Sequence, residues 1–454
     1  MFSQERCRSR FQSWFNCFAT ECFNYSREEK LLMKLLEYQH CSPWKIGTAS
    51  GCHGKTSRME MWLFVVALCL TQGSGSSKVN EGKCHVNPEQ FMTISEMISS
   101  KGYPNEDYEV LTDDGYYLGL NRIPHGRENP ESTGPRPAVL LQHGLVLDGS
   151  SWVANLPHNS LGFMLADAGY DVWLGNSRGN SWSRRHQNLS VDHEAFWDFS
   201  FHEMAIYDLP AMINFILHKT GQEKIFYGGH SQGSVIGFIA FSMMPQLAQK
   251  VKMLFVLGPA YTLRYSKSLL LHLLELPDVM LKLIFGKKEL CLLNKRLRAF
   301  TAKMCSSPLI DRLCAQFLFL NGGFNKKNLN VSRTDVYMSK FPDYTSVKNI
   351  LHWGQNKKTG EFKYFDYGCK NKEKYNQTTP PLYKIEDMIV PTALWSGGQD
   401  WVCPSKDLSL LLHRITNLVH YKNFPDWDHW DFIWGLDAAQ RMYSEVLYLM
   451  ERYR

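Results

Sequence analysis

From Arg136 onward, short apolar runs alternate with helix-patterned segments, and this alternation constrains the fold more than any other feature of the chain. "RPAVLLQHGL" carries a continuous apolar run, the pattern of a strand buried on both faces of a parallel sheet. "YDVWLGNSRG", "KIFYGGHSQG" and "KMLFVLGPA" read as further strands. Between them "LGFMLADAGY", "DLPAMINFILHKTG" with Gly221 at its end, and "SVIGFIAFSMMPQLAQK" read as helices. Strands alternating with helices predict an α/β fold on a doubly wound, mostly parallel sheet. Ahead of this core, "NPEQFMTISEMISSKGY" predicts one capped helix ending at Gly102. "DYEVLT" and "YYLGLNRIP" predict a hairpin turned by Asp114-Gly115.

The alternation breaks after Ala260. Residues 261–385 turn helical and leucine-rich, including "SLLLHLLELPDVMLKLIFG", where Glu275, Asp278, Lys282 and Pro277 rule against a membrane-spanning helix. Strand text resumes at "IVPTALWSGGQD" and "LVHYKNFPDW", and a helix near "AAQRMYSEVLYLMERY" closes the chain. A helical insertion between strands of such a core predicts a cap over the carboxyl ends of the strands, where ligands bind. The expected organisation is therefore a core from residues 80–260 and 386–454, with a helical cap and lid at 261–385. Its leucines have two readings: a mobile surface that opens against lipid, or ordinary packing of the cap.

The first 58 residues hold five of the twelve cysteines and show no periodicity. "RMEMWLFVVALCLTQGSGSS" then places Arg58 before an apolar run at 61–70 and small residues at 73–77. That pattern predicts a signal peptide at 59–77, starting near Met59 or Met61 and preceded by an unstructured upstream extension. "ASGCHGKT" in the extension imitates a phosphate-binding loop but lacks the flanking strand and helix, and reads as a chance match. The net charge of +6, with no basic cluster, gives no case for a nucleic-acid partner. Six cysteines follow the signal; none forms a C-x-x-C pair or meets His at zinc spacing, so no metal is expected. An oxidising lumen makes a local bridge available, and Cys305 with Cys314 close the shortest loop. Glycosylation sequons at Asn188, Asn330 and Asn376 suit the same compartment.

The segment "YGGHSQGSVIG" sets Ser231 between Gly229 and Gly233 where a strand gives way to a helix. Ser231 is either a plain helix cap or a nucleophile on a strained elbow. A nucleophilic serine needs a base, an acid to orient that base, and donors for the oxyanion. On α/β-hydrolase scaffolds these follow in the order Ser, acid, His. Asp400 follows the strand in "PTALWSGGQD", and His429 lies in "PDWDHWDFIWG" after the last strand. Taken singly they are a turn aspartate and a core histidine; Asp426, Asp428 and Asp431 are alternative acids within the histidine's own loop. The oxyanion donors expected are the N–H of Gln232, at the start of the helix, and that of Leu145, exposed by the tight turn at His143-Gly144. His143 precedes the serine in the chain and reads as a loop-shaping residue.

Together with "NPEQFMTISEMISSKGYPNEDYEV", the segments "DAGYDVWLGNSRGNSWSRRH", "FWDFSFHEMAIYDLPAMINFI", "GHSQG", "NILHWGQ" and "HWDFIWGLDA" run collinearly from about residue 87 to 453. In these the chain resembles the acid lipase family, which contains gastric lipase and lysosomal acid lipase, and "MEMWLF" is similar to a signal peptide of that family. The resemblance implies an α/β-hydrolase core with a cap and lid. It implies hydrolysis of neutral lipid esters, triacylglycerol or sterol esters, at an oil–water or membrane interface, often at acidic pH and with no cofactor or colipase. It places the protein outside the cell or in the lysosomal lumen. The roles it implies are Ser231 as nucleophile, Asp400 as acid, His429 as base, Leu145 and Gln232 as oxyanion donors, and Cys305–Cys314 as the cap disulfide. Gly322 stands where gastric lipase has a third cap cysteine, so properties of that thiol do not carry over. A short-chain carboxylesterase, an acyltransferase or a catalytically silent lipid-binding paralogue would present the same site.

Overall fold

The computed structural model of the chain describes residues 86–128, 134, 136–307 and 310–454. The expected extension, the signal segment, the "ASGCHGKT" match and Cys84 lie outside the described residues. The strands are β1 (Glu106–Leu111), β2 (Tyr116–Ile123), β3 (Ala138–Gln142), β4 (Asp171–Gly175), β5 (Arg185–His186), β6 (Ile225–Ser231), β7 (Val251–Pro259), β8 (Glu289–Leu290), β9 (Thr345–Ser346), β10 (Thr392–Gly397) and β11 (Leu418–Phe424). Nine of them form one sheet, in the order β1-β2-β4-β3-β6-β7-β10-β11 with β5 on β2. From β4 to β11 neighbours run parallel, and β1, β2 and β5 pair antiparallel at one end.

Every residue of β3, β4 and β6 is buried, as their continuous apolar runs require. Alternate side chains feed two cores. Leu140, Tyr227, Leu254 and Leu394 face one, and Val139, Leu141, Phe226, Phe255 and Trp395 face the other. Helices cover both faces, among them α1 (Ile94–Ser100), α2 (Leu161–Asp167), α3 (Leu209–Thr220) and α4 (Gln232–Met243). Gly221 ends α3 in the left-handed conformation, φ 66°, as its place in the sequence suggested.

Two helices expected whole come in two pieces. Thr93 and Glu96 form a capping box that starts α1 afresh, which leaves Pro88–Phe91 as a separate 3-10 turn. Met244, next to Pro245, is pushed to φ −124° and ψ 81°, so α4 stops there and Pro245–Ala248 begins a new turn.

Between β7 and β10 lie α5 (Asp278–Phe285), α6 (Lys295–Cys305), α7 (Asp311–Gly322), α8 (Thr334–Lys340) and α9 (Val347–Thr359), with shorter turns. This insertion is not purely helical, because β8 pairs with β9. Cys305 and Cys314 form a disulfide that links α6 to α7. The leucine-rich stretch divides between the two readings: Leu274 and Leu281 are buried, whereas Val279 and Leu283 on α5 are 78% and 80% exposed. Among the described residues no helix is long and apolar enough to cross a membrane. Asn188 and Asn376 are exposed, and Asn330 is half-buried with its side-chain oxygen accepting from Ser332 Oγ.

Candidate active site

Strand β6 ends at Ser231 and α4 begins at the next residue. The serine backbone sits at φ 54° and ψ −118°, a strained region for a residue with a side chain. Close packing on both sides holds it there. A Cβ on Gly229 would lie 2.6 Å from the Gly233 carbonyl carbon, and one on Gly233 would lie 2.3 Å from the Gln142 carbonyl oxygen. The serine side chain makes no capping bond to α4, so the plain helix-cap reading fails.

The candidate acid Asp400 and the candidate base His429 arrive on loops that follow β10 and β11. His429 Nδ1 lies 2.9 Å from Asp400 Oδ2. The other oxygen of Asp400 accepts the N–H groups of Val402 and Cys403 at 2.7 and 2.9 Å. The three rival carboxylates are engaged elsewhere. Asp426 pairs with Arg441. Asp428 accepts from the N–H groups of Asn325 and Trp430, and Asp431 from the side chains of Asn325 and Asn328. Burial pushes Asp428 up to about 7, against the pull of the N–H groups that it accepts, and lifts Asp431 well above the usual carboxylate range.

The loop of Leu145 lies against the serine, since a Cβ on Gly144 would come within 2.9 Å of Ser231 Cβ. His143 shapes this loop. Its Nδ1–H donates to the Gly144 carbonyl at 2.8 Å and its Nε2 accepts the Ser177 N–H at 3.1 Å, so both ring nitrogens are spent on backbone. Burial holds it below the usual imidazole range. Gln232 is the first residue of α4, where N–H groups have no intrahelical acceptor. Its side-chain oxygen accepts from Asn349 Nδ2 and Trp353 Nε1, at 3.0 and 2.8 Å, both on α9 of the insertion. Sequence reasoning missed these two anchors, although "NILHWGQ" contains them. It also missed His230, whose Nε2–H donates to the His429 carbonyl at 3.0 Å.

Leu145, Ser231, Gln232 and His429 line a single cavity of about 100 Å³. The rest of its wall is mostly apolar and comes from the insertion, including Leu270, Leu274, Leu281, Leu290 and Trp353. The arrangement sets a strained serine and an imidazole backed by a carboxylate on one mostly apolar pocket.

The sequence matches a family model described as alpha/beta hydrolase fold over residues 137–436, and one described as partial alpha/beta-hydrolase lipase region over residues 94–156. It is 54% identical over 397 residues to "Lipase member M" of Homo sapiens, covering 87% of this chain and 94% of that protein. It is 51% identical over 399 residues to "Lysosomal acid lipase/cholesteryl ester hydrolase" of Homo sapiens, covering 87% of this chain and 100% of that protein. A candidate lipase from Sulfolobus solfataricus shares the fold at a TM-score of 0.52 and 15% identity, over 77% of this chain and 94% of that one. Half the residues are shared along nearly the full length of these human relatives, and the chain belongs to the acid lipase family of α/β-hydrolases.

Proposed function

We propose that this carboxylic ester hydrolase is a serine lipase that cleaves neutral lipid esters, triacylglycerol or sterol esters, through an acyl-enzyme. Ser231 Oγ attacks the ester carbonyl while His429 Nε2 takes the hydroxyl proton and passes it to the leaving alkoxide. Asp400 orients the ring and stabilises the imidazolium. The N–H groups of Leu145 and Gln232 receive the oxyanion. Water, activated by the same imidazole, then releases the acid. The observation that carries this reading is that the strained Ser231 shares one apolar cavity with His429, whose Nδ1 rests on Asp400.

The lipid is met at an oil–water or membrane surface under a cap formed by residues 261–385, with no colipase, cofactor or nucleic acid. The protein works in the lysosomal lumen or outside the cell, with glycans at Asn188, Asn330 and Asn376. The Cys305–Cys314 disulfide supports an oxidising compartment. Labelling by a fluorophosphonate that disappears in Ser231→Ala is the expected result; labelling that persists in the variant overturns Ser231 as nucleophile. The small cavity favours a second reading, a short-chain esterase. Rates on butyrate and oleate esters separate the two.

A further inference from the structure

The loops that bring Asp400 to His429 lean on a shared point in the insertion, the carboxyl end of α7. The Gly322 carbonyl accepts the Trp401 N–H at 2.9 Å and the His429 N–H at 3.1 Å, so one oxygen ties the acid's loop to the base's own peptide. The packing of this chain leaves no room for a side chain at Gly322 or Gly323. A Cβ on Gly322 would lie 2.2 Å from Trp430 Nε1, and one on Gly323 would lie 2.0 Å from the Gln399 carbonyl oxygen. On the far side of the same residue, His230 donates its Nε2–H to the His429 carbonyl at 3.0 Å, and the two rings lie 4.7 Å apart. His230 is fully buried, and its Nδ1 has no partner among the described residues. Burial holds this imidazole well below its usual range, so it is neutral, and its one N–H is the one given to the carbonyl.

We infer that His230 and the Gly322 carbonyl are positioning groups for the base, gripping the His429 main chain from both sides and fixing the ring against Asp400. This rests on the reading of Ser231, Asp400 and His429 as the reacting set. It also gives the insertion a second task. Helix α7, tied to α6 through Cys314, carries one half of the grip, so the aim of the imidazole depends on where α7 sits.

The test uses the full chain and a water-soluble butyrate ester. His230→Phe keeps a ring and removes the donor, and His230→Gln returns an N–H at similar reach. Gly322→Ala drives a methyl group into Trp430 and displaces the carbonyl. In His230→Phe and Gly322→Ala we expect kcat to fall by about 10–100-fold, with KM changed by less than about threefold, because small misplacements of reacting groups cost that much. Fluorophosphonate inactivation should slow in parallel, and the low-field proton resonance of the His429–Asp400 bond should shift or vanish. His230→Gln should recover most of the rate and the resonance. Wild-type kcat and an unmoved resonance in both damaging variants, with labelling still abolished by Ser231→Ala, overturn the grip and leave the catalytic reading standing. Labelling that survives Ser231→Ala overturns the catalytic reading, and the grip falls with it. Should Gly322→Ala not fold, the two His230 variants decide alone, and equal losses in Phe and Gln refute the role.

Discussion

Asp400 presents one oxygen to His429 Nδ1, 2.9 Å away, and keeps the other on the backbone of Val402 and Cys403. In the proposed mechanism the carboxylate accepts from Nδ1–H, which leaves Nε2 to act as base. An asparagine would keep the shape but can turn its amide N–H toward the ring and stabilise the wrong tautomer. We expect Asp400→Asn to lower kcat on the order of 10⁴-fold on a soluble ester. A loss smaller than tenfold would remove Asp400 from the reaction.

The elbow makes a stability prediction that needs no substrate. The methyl group of Gly233→Ala would enter the space of the Gln142 carbonyl, 2.3 Å away, and backbone cannot yield there as a side-chain tip could. Overpacking of this kind costs about 1–3 kcal/mol or more. Urea denaturation of the variant should show at least that loss, and an unchanged midpoint would mean that α4 does not press on β3 as described.

Cys305 and Cys314 are nine positions apart and close a short loop. Removing both as Ser should lower stability by about 2–3 kcal/mol through the restored freedom of the unfolded chain. Chemical denaturation of wild type with and without reductant gives the same comparison. A reductant effect that persists in the double variant would assign it to another thiol.

Stability should also depend on pH through the loop that carries His429. The folded state holds the proton of Asp428 more tightly than the unfolded chain does, since burial moves it from the ordinary 3.8 to about 7. A raised acid contributes its full stability below about pH 4 and loses it as pH climbs toward 7, with a slope of at most about 1.4 kcal/mol per pH unit for one proton. Asp431, raised by burial and by Asp428, acts in the same sense. Melting temperatures of the wild type should therefore fall from pH 4 to pH 7, and Asp428→Asn should flatten that decline. A steeper decline in the variant contradicts the assignment.

Much of this site could be read in advance from side chains. The continuous apolar runs marked β3, β4 and β6 because burial on both faces leaves little room for polar residues. The grouping of Ser231, Asp400 and His429 was legible because Ser231 ends a strand and the other two follow strands, and strand ends meet at one edge of a parallel sheet. The break at Pro245 was written in the residue itself but yielded to the longer apolar pattern around it. Strands β8 and β9, two residues each, are too short to show any period. His230 and Gly322 were hidden for a different reason. They act through main chain 199 and 107 positions away, and a carbonyl that every residue owns leaves no letter in a sequence.

Helix α5 turns Leu281 and Phe285 toward the chamber around Ser231 while Val279, Leu283 and Ile284 look outward. That chamber, about 100 Å³, is walled mostly by apolar side chains of the insertion. A shift of this partition, α5, away from the chamber would expose the inner face formed by Leu281 and Phe285. In water the shift uncovers oily surface, whereas beside a droplet either side of the partition is equally at home. The cost of such a shift therefore depends on the medium outside the molecule.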